Sequence, residues 1–285
     1  MGVASFLSDG RSGLNATIHL MLAMGLMLFA NMLFLEKGHA AHSGGSFVPH
    51  RAYYEMSINE VKSGSGVDDV EGRMAFEWRR DCKGWIVEQR YVMRYFQGAR
   101  TREIDTRFTT WESEDGKRYR FFVVNGRADG GSEKIEGFAS HPGPGVVGTG
   151  SARFTSPVEK DFALPVKTLF PSAHTFAMLD AAIAGKRLFA RPMFDGSEVE
   201  GAASVSAVIG DARRNTAAGD ALLQGTSWPV RLAFFSSKDT SGPPDYEMSV
   251  DMHENGVASS LVLDYGEFSV NVELKTLERV ADPTC

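Results

Sequence analysis

The residues able to do chemistry in this chain are few and far apart. Cys82 and Cys285 are the only cysteines, and two thiols have three options. They can bond to each other, help hold a metal, or leave one free as a nucleophile. A zinc site needs further ligands at short spacing, yet neither a C-x-x-C nor a nearby histidine pair accompanies either cysteine. A catalytic thiol needs an adjacent base, whereas Cys82 stands between Asp81 and Lys83 in DCKG. If the chain is exported, parity and compartment favour a Cys82–Cys285 disulfide.

Outside the first segment the histidines are His50, His141, His174 and His253, each alone. No H-E-x-x-H and no i, i+4 pair is present to seat a metal on a helix. Ser172 beside His174 invites a nucleophile reading, but a serine after a proline at a helix start more often caps the backbone. No G-x-S-x-G elbow occurs. GPGVVG at Gly143–Gly148 matches the dinucleotide pattern, but the strand-like Ala152–Thr155 follows instead of a helix. A glycine loop is expected. The acidic pairs Asp68–Asp69 and Glu112 with Glu114 fall in polar, turn-like stretches and are expected to be solvated. Gly72-Arg73, Arg79 and Arg80 read as strand-face charges. No catalytic residue, cofactor site or metal site is predicted.

The elements that must carry these residues are mostly strands. Met74, Phe76 and Trp78 alternate with polar neighbours, as do Tyr54, Met56 and Ile58, and Ile104 and Phe108. Period two marks strands buried on one face. Similar runs cover Gly84–Phe96, Tyr119–Val124, Pro229–Phe235, Tyr246–His253, Ser259–Tyr265 and Phe268–Leu277. The separators are turn chemistry: Glu114-Asp115-Gly116, Asn125-Gly126, Glu254-Asn255-Gly256 and Asp264-Tyr265-Gly266. The spacing predicts an all-β antiparallel meander of roughly 12–14 strands in a single domain. One helix interrupts it over His174–Ala184, introduced by Pro171-Ser172 and stopped by Gly185. Phe176, Leu179 and Ile183 should face the sheet.

The first forty residues read as an address. Arg11 precedes the apolar run Leu20–Ala30, and small residues follow at Gly38, Ala40 and Ala41. That is the order of a secretory signal, with cleavage after Ala40 or Ala41, leaving a mature domain over 41–285. The alternative is an uncleaved anchor, for which Ile18–Leu35 is short against the roughly 20 residues a span needs. Export places the chain in an oxidising compartment. Thirty basic against 36 acidic residues give a net charge of -6, which argues against a nucleic-acid partner.

Several segments then carry a resemblance. Val48-Pro49-His50-Arg51-Ala52, Gly72-Arg73-Met74 leading into Asp81-Cys82-Lys83-Gly84, and Leu164-Pro165 through Leu169-Phe170-Pro171 resemble the cell envelope integrity protein EipB family. So do the helix that follows, Phe194-Asp195-Gly196-Ser197 and the terminal Cys285, together spanning about Phe47–Cys285. The resemblance implies a periplasmic protein of Gram-negative bacteria with a β-spiral, open-barrel sheet. It also implies paired cysteines, a part in envelope integrity and stress resistance, and a periplasmic tetratricopeptide-repeat protein as partner. The function expected is non-enzymatic support of the envelope through protein contacts. The alternative is a carrier of lipid or lipoprotein acyl chains in an apolar cavity of the curved sheet. The oligomeric state is left open.

Overall fold

A computed structural model describes residues 47–126, 130–142, 148–216, 219–236 and 242–285. The expected signal over 1–40, the cleavage positions Ala40 and Ala41, and Gly143–Val147 of the glycine segment lie outside the described residues.

Alternation of apolar and polar side chains produces strands wherever it was read. These are β1 (His50–Val61), β2 (Asp69–Asp81), β3 (Gly84–Gln97), β4 (Arg100–Ser113), β5 (Arg118–Gly126), β6 (Ser132–Ser140), β7 (Gly150–Ser156) and β8 (Lys160–Leu164). Helix α1 (Pro171–Ile183) follows, then β9 (Leu188–Met193), β10 (Ala203–Ile209), β11 (Arg213–Asn215), β12 (Gly225–Phe235), β13 (Tyr246–His253), β14 (Ala258–Asp264) and β15 (Phe268–Arg279). The described residues thus form 15 strands in one antiparallel sheet, slightly more than the 12–14 expected. The surplus lies in short elements with weak apolar alternation, such as the three-residue β11.

From one edge, β8 to β1 are neighbours in reverse chain order, and β15 to β12, β10 and β9 continue to the other edge. First and last strands meet in the middle, where β1 pairs with β15. The sheet stays open, with β8 and β9 as its edges. Three of the expected turn glycines, Gly116, Gly256 and Gly266, adopt positive φ, whereas Gly126 remains in β5, paired with Ser132.

Register keeps one face apolar. Ala52 lies opposite Phe76, Tyr54 opposite Met74 and His50 opposite Trp78. Helix α1 joins the two edges in sequence and packs on this inner face. Met178, Leu179 and Ala182 meet Phe189, Ile209, Val230 and Leu232 in one buried cluster. Phe170 before the helix and Phe194 after β9 are buried with Tyr119, Phe121 and Phe154 of β5 and β7. Phe176 and Leu179 are buried as expected, but Ile183 is 56% exposed. It sits in the last turn, and the face turned to the sheet there is carried by Met178 and Ala182. Gly185 ends the helix at φ 73°, and the Lys186 N–H donates back to the Ala181 carbonyl at 2.9 Å. Ile104 is also more exposed than its alternation suggested, because the Arg100–Ile104 stretch of β4 is exposed throughout.

Candidate functional site

The strongest concentration of buried polar groups lies where α1 begins. A helix start leaves backbone N–H groups without intrahelical partners. Phe170 precedes the helix and supplies no side-chain cap. The cap expected from Ser172 does not form, because Pro171 opens the helix and places Ser172 inside its first turn. The Ser172 N–H is itself one of the orphan donors. Glu112 of β4 satisfies it: Oε2 accepts from the Ser172 N–H at 2.7 Å and Oε1 from the Ala173 N–H at 2.9 Å. A carboxylate is well placed there, since the helix dipole is positive at this end.

Glu112 is only 2% exposed. Burial pushes its carboxyl up to about 7, against the opposing pull of the Ala173 and Ser172 hydrogen bonds. The expectation that Glu112 and Glu114 are both solvated therefore holds for one and fails for the other. Glu114 lies past the strand and pairs with Arg80 at 2.8 Å on the surface. Glu112 still belongs to β4, on the face shared by Phe108 and Thr110. Extending the alternation through Trp111 would have located it.

His174 is 3% exposed, with its ring edge-on to Phe189 at 5.1 Å. Burial, then the nearby Arg191, lowers its pKa to about 4. Among the described residues its Nε2 has no hydrogen-bond partner. Ser172, His174 and Glu112 thus share a neighbourhood, in which two backbone N–H groups and the Ser172 side chain hydrogen-bond to the Glu112 carboxylate and shape a junction. The remaining histidines stand apart. His50 is buried with Nδ1 2.8 Å from the Val48 carbonyl, His141 stacks on Phe170, and His253 is buried at the end of β13. Asp68 and Asp69 are exposed and accept from the backbone N–H groups of Gly98 and Val70, respectively. Arg79 lies between Glu77 and Glu88 at 3.1 and 2.8 Å. Among the described residues no group of three metal-ligating side chains assembles, and no helix is long and apolar enough to cross a membrane.

The cysteines belong to the same region. Cys82 occupies the β2–β3 turn and is bonded to Cys285, with Cα atoms 5.6 Å apart. The tail reaches it after β15, where the Val280 N–H donates to the Pro49 carbonyl at 2.9 Å. Next to Cys82, the Lys83 carbonyl accepts from the Glu114 N–H at 3.0 Å, tying this turn to the end of β4. Gly84 allows that approach: a Cβ there would fall 2.0 Å from the Glu112 carbonyl oxygen. Phe47, Trp78, Trp85 and Phe176 fill the space between the strands and the helix. Trp78 and Phe176 stack at 5.5 Å, and Trp85 meets Phe176 edge-on at 5.2 Å. Chain terminus, disulfide turn, Glu112 and α1 form one clasp.

The chain is similar to known proteins. Residues 41–281 match the EipB-like family. The cell envelope integrity protein EipB of Brucella abortus is 28% identical over 248 residues, covering 84% of this chain and 86% of that protein. A crystal structure of a β-barrel-like protein of a domain of unknown function, also from Brucella abortus, superposes with a TM-score of 0.74. It is 26% identical and covers 82% of this chain and 99% of that one. With the match extending over residues 41–281, the chain belongs to the EipB-like family.

Proposed function

We propose that this protein works in the periplasm as a non-enzymatic factor that maintains the cell envelope and its resistance to stress through protein contacts. The observation that carries the reading is its similarity, over 84% of its length, to a protein named for cell envelope integrity. The buried clasp supports it, since Glu112, Ser172 and His174 are each no more than 3% exposed. A disulfide at the chain terminus suits an oxidising compartment. A periplasmic tetratricopeptide-repeat protein is the partner proposed. The test is a clean deletion in the encoding bacterium, challenged with detergent and with a cell-wall antibiotic. Sensitisation to both supports the role, and unchanged survival removes it.

A second reading, a carrier of acyl chains, draws on an arc of inner-face rings at one end of the sheet. Phe234 stacks on Tyr246 at 4.3 Å, Tyr265 meets Phe268 at 5.2 Å, and Tyr95 meets Phe268 at 5.7 Å. Native mass spectrometry of protein taken from the periplasm separates the two readings. A reproducible lipid mass favours the carrier, and a clean protein mass favours the contact role.

A further inference from the structure

The outer face of β1–β6 carries a narrow basic row that the chain's overall charge of -6 does not foretell. Register aligns Tyr53, Ala75, Arg90, Arg107, Val124 and Lys134 across six successive strands. Arg73 lies one step along β2 from Ala75 on the same face. Arg90 is held by Asp105 through two hydrogen bonds, at 2.9 and 2.7 Å. Arg73, Arg107 and Lys134 are exposed and make no ion pair with any described residue. The nearby acids are already engaged, Glu77 with Arg51 at 2.6 Å and Glu55 with Lys275 at 3.2 Å. Arg73, Arg107 and Lys134 thus leave positive charge along the row, offset in part at Arg107 by Asp105.

The row also has depth. Ala75 is a small side chain between Tyr53 and Arg90, and two clefts open on either side of it. One holds about 240 Å³ beside Arg51, Glu77 and Arg107. The other holds about 410 Å³ beside Arg73, Val92 and Lys275. Tyr53, 45% exposed, forms a wall of both. A cationic anchor and an aromatic wall next to each other select a ligand with negative charges and an apolar side chain.

We infer that this row is a docking track for an acidic, extended segment of a partner protein, with one apolar side chain of that segment seated against Tyr53. The inference rests on the protein-contact reading and names the chemistry of the contact. Six strands span about 24 Å at about 4.8 Å each, the length of roughly seven extended residues. Carboxylates flank the row: Glu77 and Glu88 on one side, Glu55, Glu71 and Glu103 on the other. A flat anionic surface such as a membrane would meet those carboxylates, whereas a single acidic strand lies between them.

The test uses the exported protein and a labelled, blocked heptapeptide, Glu-Ala-Glu-Phe-Glu-Ala-Glu, followed by fluorescence anisotropy. Saturable binding is expected, weakened about tenfold by raising salt from about 0.05 M to about 0.5 M. The double variant R73E/R107E is expected to weaken it about tenfold again, with an unchanged thermal melt. R213E/R214E, on β11, is expected to leave it intact. Absence of binding overturns the inference, as does equal binding of the glutamine version of the peptide or equal loss in both double variants. Displacement of the peptide by inorganic phosphate alone, or by phosphatidylglycerol vesicles, also overturns it. In cells, R73E/R107E is expected to fail to rescue a deletion strain. Full rescue by R73E/R107E of a sensitive deletion strain overturns the docking track and leaves the envelope role standing. A deletion without phenotype removes the envelope role, while peptide binding is judged on its own.

Discussion

Replacing Glu112 by glutamine isolates one buried charge. The side chain keeps its size and one carbonyl acceptor for the helix N–H groups, but it no longer titrates. In the folded protein the Glu112 carboxyl is raised from its usual 4.5 to about 7, burial being the largest cause. Between those values the folded chain keeps a proton that the unfolded chain has lost. The site's contribution to stability is therefore fully present below pH 4.5 and declines as pH rises to about 7. The whole decline amounts to about 3 kcal/mol, at about 1.4 kcal/mol per tenfold change in proton affinity. Urea unfolding, followed by tryptophan fluorescence from about pH 4.5 to about pH 8, measures both proteins side by side. Trp78 and Trp85 pack on α1 beside the site and report its loss. The stability of the natural chain minus that of Glu112→Gln is expected to fall by about 3 kcal/mol across this range and then level off. Other titrating groups cancel in the difference. A difference that grows with pH would mean that the two helix N–H groups hold the carboxylate ionised, and that burial does not govern this site.

Reduction of Cys82–Cys285, whose partners are 203 residues apart, is expected to lower the melting temperature and raise protease sensitivity. Loop-closure entropy sets an upper bound of about 5 kcal/mol, and a loss of about 2–4 kcal/mol is expected; alkylation of both thiols in freshly isolated protein would exclude the bond. Gly196→Ala is expected to cost about 3 kcal/mol in urea unfolding, because Gly196 has φ 68° and a Cβ there would fall 2.4 Å from the Phe121 ring; an unchanged midpoint would show that the loop has room to move. N-terminal sequencing of the exported protein is expected to begin at Ala41 or His42, and an intact Met1 in the membrane fraction would establish an anchor instead.

The sheet was legible in the sequence because period-two alternation and turn glycines act locally. Tyr246–His253 coincides with β13, and Gly84–Phe96 misses β3 by one residue. Strands such as β10 were not read individually, since Ala, Ser and Val give little contrast between faces. The meeting of β1 with β15 was also out of reach, because pairing between the ends of a chain leaves no local pattern. The clasp was half legible. Cysteine parity and compartment named Cys82 and Cys285, but Glu112 looked like a surface acid because its partners lie 60 and 61 residues away. Ser172 misled for a related reason: its type suits a cap, and the donor needing a cap was its own backbone.

The most direct measurement is survival of a deletion strain on detergent plates when it carries either the full chain or a chain lacking residues 1–40. The account predicts that deletion sensitises the cells, that the full chain restores the parental count, and that the leaderless chain does not. A deletion strain as resistant as its parent, or equal rescue by the leaderless chain, would contradict a role in the envelope exercised from outside the cytoplasm.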